Sequence, residues 1–138
     1  MNFFASLHTY SDWGLLVLRL ILAATFLAHG KTKWAMWNMQ PSDKMPASMI
    51  NIMRLLSICE PLGAVALVLG FLTQLSALGL TIIMLGALNL KVNKMKAPFA
   101  VTRDKPGWEF ELVILGGTLA LFFTGAGAIA LDRLWFGL

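Results

Sequence analysis

Four apolar runs, each close to the length of a membrane crossing, organise the chain at residues 13–30, 51–70, 73–91 and 108–124. About 18 to 20 residues rising ~1.5 Å each cover the ~30 Å of hydrocarbon in a bilayer. The pattern predicts an all-α membrane protein, a four-transmembrane-helix bundle in a single integral membrane domain spanning residues 1–138. Residues 31–50 break the pattern with Pro41, Pro46, Trp34, Trp37 and a run of methionines. That stretch is too polar to span and too apolar to leave the membrane, so it is expected to be an interfacial segment between helices one and two. Residues 91–107 read as a basic loop closed by Pro106-Gly107. The remainder after Gly125 is too short to cross and is expected to form a turn and short helix on the outer surface.

Ionisable residues interrupt three of the runs: Arg19 in the first, Glu60 in the second and Glu111 in the fourth. A charge at that depth is costly unless paired, so these residues are the first functional candidates. Counting ~1.5 Å per residue from Gly30 and from Asn51 puts Arg19 about 16 Å and Glu60 about 14 Å deep, which predicts a buried Arg19–Glu60 ion pair. Closer to the helix ends, His29, Arg54, Asn89, Glu109 and Glu111 form a predicted polar layer. Glu111, Thr118 and Gly125 recur every seven residues on one face, and Arg19, Phe26 and His29, extended by Lys33, share a face of helix one. Such a layer either lines a ligand pocket or proton path, or fixes helix register. The small residues Ser76, Gly79, Gly86, Gly116, Gly117 and Ala120 are expected at helix contacts.

Composition strengthens the membrane reading, with 58% hydrophobic and only 13% charged residues. The net charge of +4 does not point to nucleic acid, because the basic residues sit in loops beside apolar spans. Lys31, Lys33, Lys44 and Arg54 flank the first connection, Lys91, Lys94, Lys96, Arg103 and Lys105 flank the third, and Arg133 stands alone opposite. The positive-inside rule therefore predicts a multi-pass inner-membrane protein with loops one and three cytoplasmic and both termini periplasmic. Trp13, Trp34, Trp37, Trp108 and Trp135 all fall at predicted helix ends, the usual place of an interfacial indole belt. Asp12 in place of a basic n-region argues against a cleaved signal peptide, so helix one is expected to remain.

Several chemistries are excluded. Cys59 is the only cysteine, so the chain cannot cycle a dithiol by itself. His8 and His29 bracket helix one and cannot ligate haem together. No phosphate-binding glycine loop or metal-spaced cluster occurs, so no haem, flavin, iron-sulfur or metal site is expected, and electron transfer would need a borrowed cofactor. Met36, Met39, Met45, Met49 and Met53 read as apolar filler before they read as copper ligands.

Arg19-Leu20, Phe26-Leu27-Ala28-His29-Gly30 and Lys33 resemble the first-helix signature of DoxX-like membrane proteins. Glu60-Pro61-Leu62-Gly63 and Leu69-Gly70-Phe71-Leu72-Thr73 resemble that family's second helix and turn, and Gly107-Trp108-Glu109-Phe110-Glu111, Gly125-Ala126-Gly127 and Leu131-Asp132 its end. Asn89 stands in a region where the family often carries histidine. The resemblance implies a four-helix bundle and, for some members, a subunit of thiosulfate:quinone oxidoreductase; others are linked to thiol and oxidative-stress homeostasis. The expectation is a membrane subunit of a quinone-linked redox complex. Glu60, Glu111 and His29 are the candidate proton-handling residues, and Arg19, His29 and Glu60 the candidate quinone-binding residues. A protein partner or homo-oligomer is expected alongside the lipid bilayer and quinone. The alternatives are a non-enzymatic anchor or assembly factor for a partner protein, and a small transporter.

Overall fold

A computed structural model describes residues 6–43 and 45–137; Lys44 lies outside the described residues. Four long helices carry the fold: α1 Ser11–Lys33, α2 Ala47–Leu69, α3 Thr73–Asn89 and α4 Glu109–Thr124. A short α5, Leu131–Phe136, follows. Leu7–Tyr10 and Trp34–Trp37 add 3-10 turns to the two ends of α1, and Leu90–Lys94 prolongs α3 as a π-helical turn. Among the described residues there is no strand, only an isolated bridge between Ser42 and Met45.

Three stretches are long and apolar enough to cross a membrane: Leu7–Trp37, Ala47–Leu69 and Thr73–Lys94. The fourth helix has 16 residues and falls short of that length, because Gly107 and Trp108 delay its start and Gly125, at φ 77°, ends it. Its outer surface is nonetheless as apolar as that of the others.

Burial is inverted relative to a water-soluble bundle. Arg19, Glu60, Thr73, Thr81, Glu111 and Thr118 are buried, whereas Ile21, Leu55, Leu62, Leu75, Ile82 and Val113 face outward. An apolar surface this continuous is stable only against lipid, and the interior therefore holds the polar groups. The chain is an integral membrane protein.

The helices pack as two closely apposed pairs, α1 with α2 and α3 with α4. Gly30 makes the first pair possible, since a Cβ there would lie 2.5 Å from Pro61 Cγ. Leu22, Phe26, Ala64, Leu67, Ala77 and Leu80 join the pairs in one core. Between α3 and α4, Thr81 Oγ1 donates to Thr118 Oγ1 at 2.9 Å, and the Thr118 hydroxyl donates to the Leu115 carbonyl at 3.0 Å. The small residues contribute less than their spacing predicts. A Cβ at Gly117 would touch Leu22 at 3.1 Å, but one at Gly79, Gly86 or Gly116 would meet nothing within 4 Å. Gly79 and Gly116 point outward and Gly86 borders open space near the end of α3, because the α3–α4 seam is built from Ala77, Leu80, Thr81 and Met84 instead.

At the end holding both described termini, the turn from α2 to α3 is pinned by polar groups. Gly70 takes φ 63° and Leu72 φ 49°. The Asp132 carboxylate accepts from the Leu72 and Thr73 amides at 2.6 and 2.8 Å, capping α3. Asp12 accepts from the Ala128 amide at 2.7 Å. The segment after α4 is thus tied to both α1 and the α2–α3 turn.

Candidate functional site

The predicted Arg19–Glu60 pair does not form. Gly30 abuts Pro61, so Glu60 lies level with the last turn of α1. Arg19 sits about three turns earlier, about 16 Å away along the axis. The depth estimate failed because it treated Gly30 and Asn51 as level helix ends. In the structure α1 runs on to Lys33 and α2 begins at Ala47, so the first turns of α2 extend past α1 beside the Trp34–Trp37 turn.

Glu60 pairs with Lys33 instead. Lys33 Nζ lies 2.6 and 2.5 Å from the two carboxylate oxygens of Glu60, which is completely buried. A lysine at a helix end can send its ammonium back along its flexible stem, and that reach closes the pair. Arg19, also completely buried, works at the opposite end: Nη2 donates to the Ile129 carbonyl, and Asp132 supplies the neighbouring negative charge. Among the described residues Arg19 Nε and Nη1 have no hydrogen-bond partner.

Pro61 has a local consequence beside the site. Lacking an N–H, it leaves the Ser57 carbonyl without its helical donor. Trp34 Nε1 donates to that carbonyl at 3.4 Å, and Trp37 Nε1 donates to Ser57 Oγ at 3.0 Å. Arg54 fastens the same turn by donating to the Met36, Trp37 and Met39 carbonyls at 3.0, 3.3 and 3.3 Å. The tryptophans expected as a belt therefore also close the helix end around Glu60.

Where the two helix pairs part, at the end carrying the long loops, they leave a cavity of about 630 Å³. Its wall is mostly apolar, with Phe26, Met53, Leu56, Ile83 and Ile114 among its residues. Its polar lining includes His29, Lys33, Glu60, Asn89, Lys91, Lys94 and Glu111. A second ion pair completes the polar set: Lys91 Nζ lies 2.7 Å from Glu111 Oε1 and donates to the Gly107 carbonyl at 2.9 Å. The π-helical turn, closed by the Met95 amide on the Leu90 carbonyl at 3.0 Å, widens the end of α3 where Lys91 enters. The His29 ring stacks on Phe110 with centroids 5.6 Å apart and planes at 17°.

The predicted site residues therefore divide. His29, Glu60 and Glu111 share one cavity, together with Asn89; Arg19 does not reach it. Of the rest of the predicted polar layer, Arg54 holds the first connection and Glu109 accepts from the Val101 amide at 3.1 Å within the third. Sequence reasoning missed Lys33 and Lys91 as partners, having assigned them to membrane orientation. Their signal was present: Lys33 continues the His29 face, and Lys91 follows an apolar run at the level of Glu111. It also missed Asp132, whose carboxylate far along the chain caps α3.

The polar set has spare capacity. An ammonium carries three donors. Lys33 directs them at the two oxygens of Glu60, and Lys91 at Glu111 and Gly107, leaving each lysine a further N–H. On the acceptor side, Glu111 Oε2 is buried and has no hydrogen-bond partner among the described residues.

No curated protein and no solved structure matches the chain. A family model, DoxX, matches residues 14–93, from α1 through the π-helical turn that carries Lys91. The match takes in more than half of the sequence, including Lys33 and Glu60, and the chain belongs to the DoxX family.

Proposed function

We propose that this protein is the membrane subunit of a quinone-linked redox complex and that the cavity between its two helix pairs receives the quinone head group. The observation that carries this reading is an apolar cavity of about 630 Å³ whose charged lining comprises the pairs Lys33–Glu60 and Lys91–Glu111 together with Lys94. Ligand sites for lipid-sized molecules fall in the range of about 300 to 1,000 Å³, mostly apolar with a few placed polar groups. Phe26, Met53 and Ile83 suit a ring and tail, and the spare lysine donors with His29 suit two carbonyl oxygens. A bound quinone supplies two-electron redox chemistry, with electrons delivered by a partner subunit. The chain's own residues orient the head group, exclude water and hold protons at Glu60, Glu111 and His29.

In this reading α4 completes the bundle as a fourth, short membrane helix, and the basic third loop faces the cytoplasm of an inner membrane. Arg103 and Lys105, both exposed, would meet the soluble partner in this reading. Native mass spectrometry of the protein extracted gently from its own membrane tests the proposal. Quinone retained together with a redox subunit is the expected result. A redox-inactive partner with no quinone would replace the proposal by the anchor reading, in which the ion pairs only fix the bundle.

A further inference from the structure

The two carboxylates of the cavity are not equivalent. Both oxygens of Glu60 accept from Lys33 Nζ. Glu111, its side chain more than nine-tenths buried, gives one oxygen to Lys91 and keeps Oε2 unpartnered among the described residues. A buried anionic oxygen without a donor is costly, and the residue that carries it is one of those lining an open cavity. A donor supplied by a ligand is what would complete it.

We infer that Glu111 Oε2 is the acceptor for a hydroxyl on the bound head group, so that the cavity binds the hydroquinone form in preference to any form lacking an O–H. The inference rests on the quinone reading and sharpens it. A 1,4-hydroquinone carries two O–H donors and keeps both oxygens as acceptors. One hydroxyl donates to Glu111 Oε2, while Lys33, Lys91 and His29 still find oxygens to donate to. An oxidised quinone presents acceptors alone and leaves Glu111 Oε2 unsatisfied unless that carboxyl first takes up a proton. A charge-assisted O–H···O bond in a water-poor site is among the stronger hydrogen bonds, and the analogue that cannot make it leaves a buried acceptor empty. Each Glu60 oxygen already accepts from Lys33, so no orphaned acceptor there selects for an O–H.

The test compares a decyl-substituted 1,4-benzohydroquinone with its dimethyl ether, titrated under argon against the detergent-solubilised protein and read by native mass spectrometry. The wild type is expected to bind the hydroquinone at least tenfold more tightly than the ether. In Glu111→Gln the amide oxygen stays on Lys91, so the NH2 group takes the place of Oε2 and the preference should vanish or reverse. Equal binding of the two compounds by the wild type overturns the inference while leaving the cavity as a quinone site. Failure of the hydroquinone, the ether and the parent quinone alike overturns the quinone reading and the inference with it. Should Glu111→Gln not fold, the wild-type comparison decides alone.

Discussion

Glu60 and Lys33 are each tolerable inside the bundle because of the other. Removing one member of a buried pair strands a charge and typically costs about 3 to 5 kcal/mol, whereas replacing both with apolar groups is far milder. Glu60→Leu alone should therefore lower the detergent-measured Tm sharply, and Lys33→Met with Glu60→Leu should recover most of the loss. Arg19 provides the control. Because about 16 Å of helix separates it from Glu60, a double-mutant cycle on Arg19→Met and Glu60→Leu should show coupling below about 0.5 kcal/mol, against more than ~1 kcal/mol for Lys33 and Glu60. The reverse order would restore the Arg19–Glu60 pair that depth counting predicts. The burial of Arg19, Glu60 and Glu111 was legible, since each interrupts an apolar run. Their partners were not, because pairing depends on which levels of α1 and α2 meet, and Gly30 against Pro61 sets that level.

Helix ends decide that register, and each has its own device. Gly70 stands in the left-handed region, and a Cβ there would overlap Arg19 Nη1 and Ala130. Gly70→Ala should destabilise the protein by about 2 to 4 kcal/mol, adding left-handed strain to overpacking. Gly79→Ala, with nothing near its Cβ, should change stability by no more than about 1 kcal/mol. A thermal melt of both variants separates a packed glycine from an outward one, a distinction that spacing alone cannot make. Asp132→Ala removes the acceptor for two amides at the start of α3 and the charge beside Arg19. A loss of about 2 kcal/mol or more is expected, beyond the ~1 kcal/mol of an ordinary cap. The apolar runs made the helices readable in the sequence. Their ends were less so: α2 starts at Ala47 within a stretch whose polarity masks it, and Trp34 and Trp37, read from the sequence as an interfacial belt, bond to Ser57.

At the scale of the molecule, polar groups collect at two levels. One level, around Arg19, Asp132 and Asp12, locks the short connections and the end of the chain. The other, around the two Lys–Glu pairs, lines an open cavity. The first is closed around its groups, with Arg19 Nε and Nη1 and Thr73 Oγ1 unpartnered among the described residues; the second opens on space large enough for a ligand, which is why the proposed site lies there. Apolar patterning announces the membrane but not this division, because it arises from how two helix pairs part at one end. The most direct test is photolabelling of the membrane-embedded protein with an azidoquinone, followed by peptide mapping of the adduct. Labels on cavity residues such as Met53, Ile83 and Asn89, suppressed by excess unlabelled quinone, are expected. Labels confined to lipid-facing positions such as Val113 and Phe123, or insensitive to competition, would contradict a quinone site between the helix pairs.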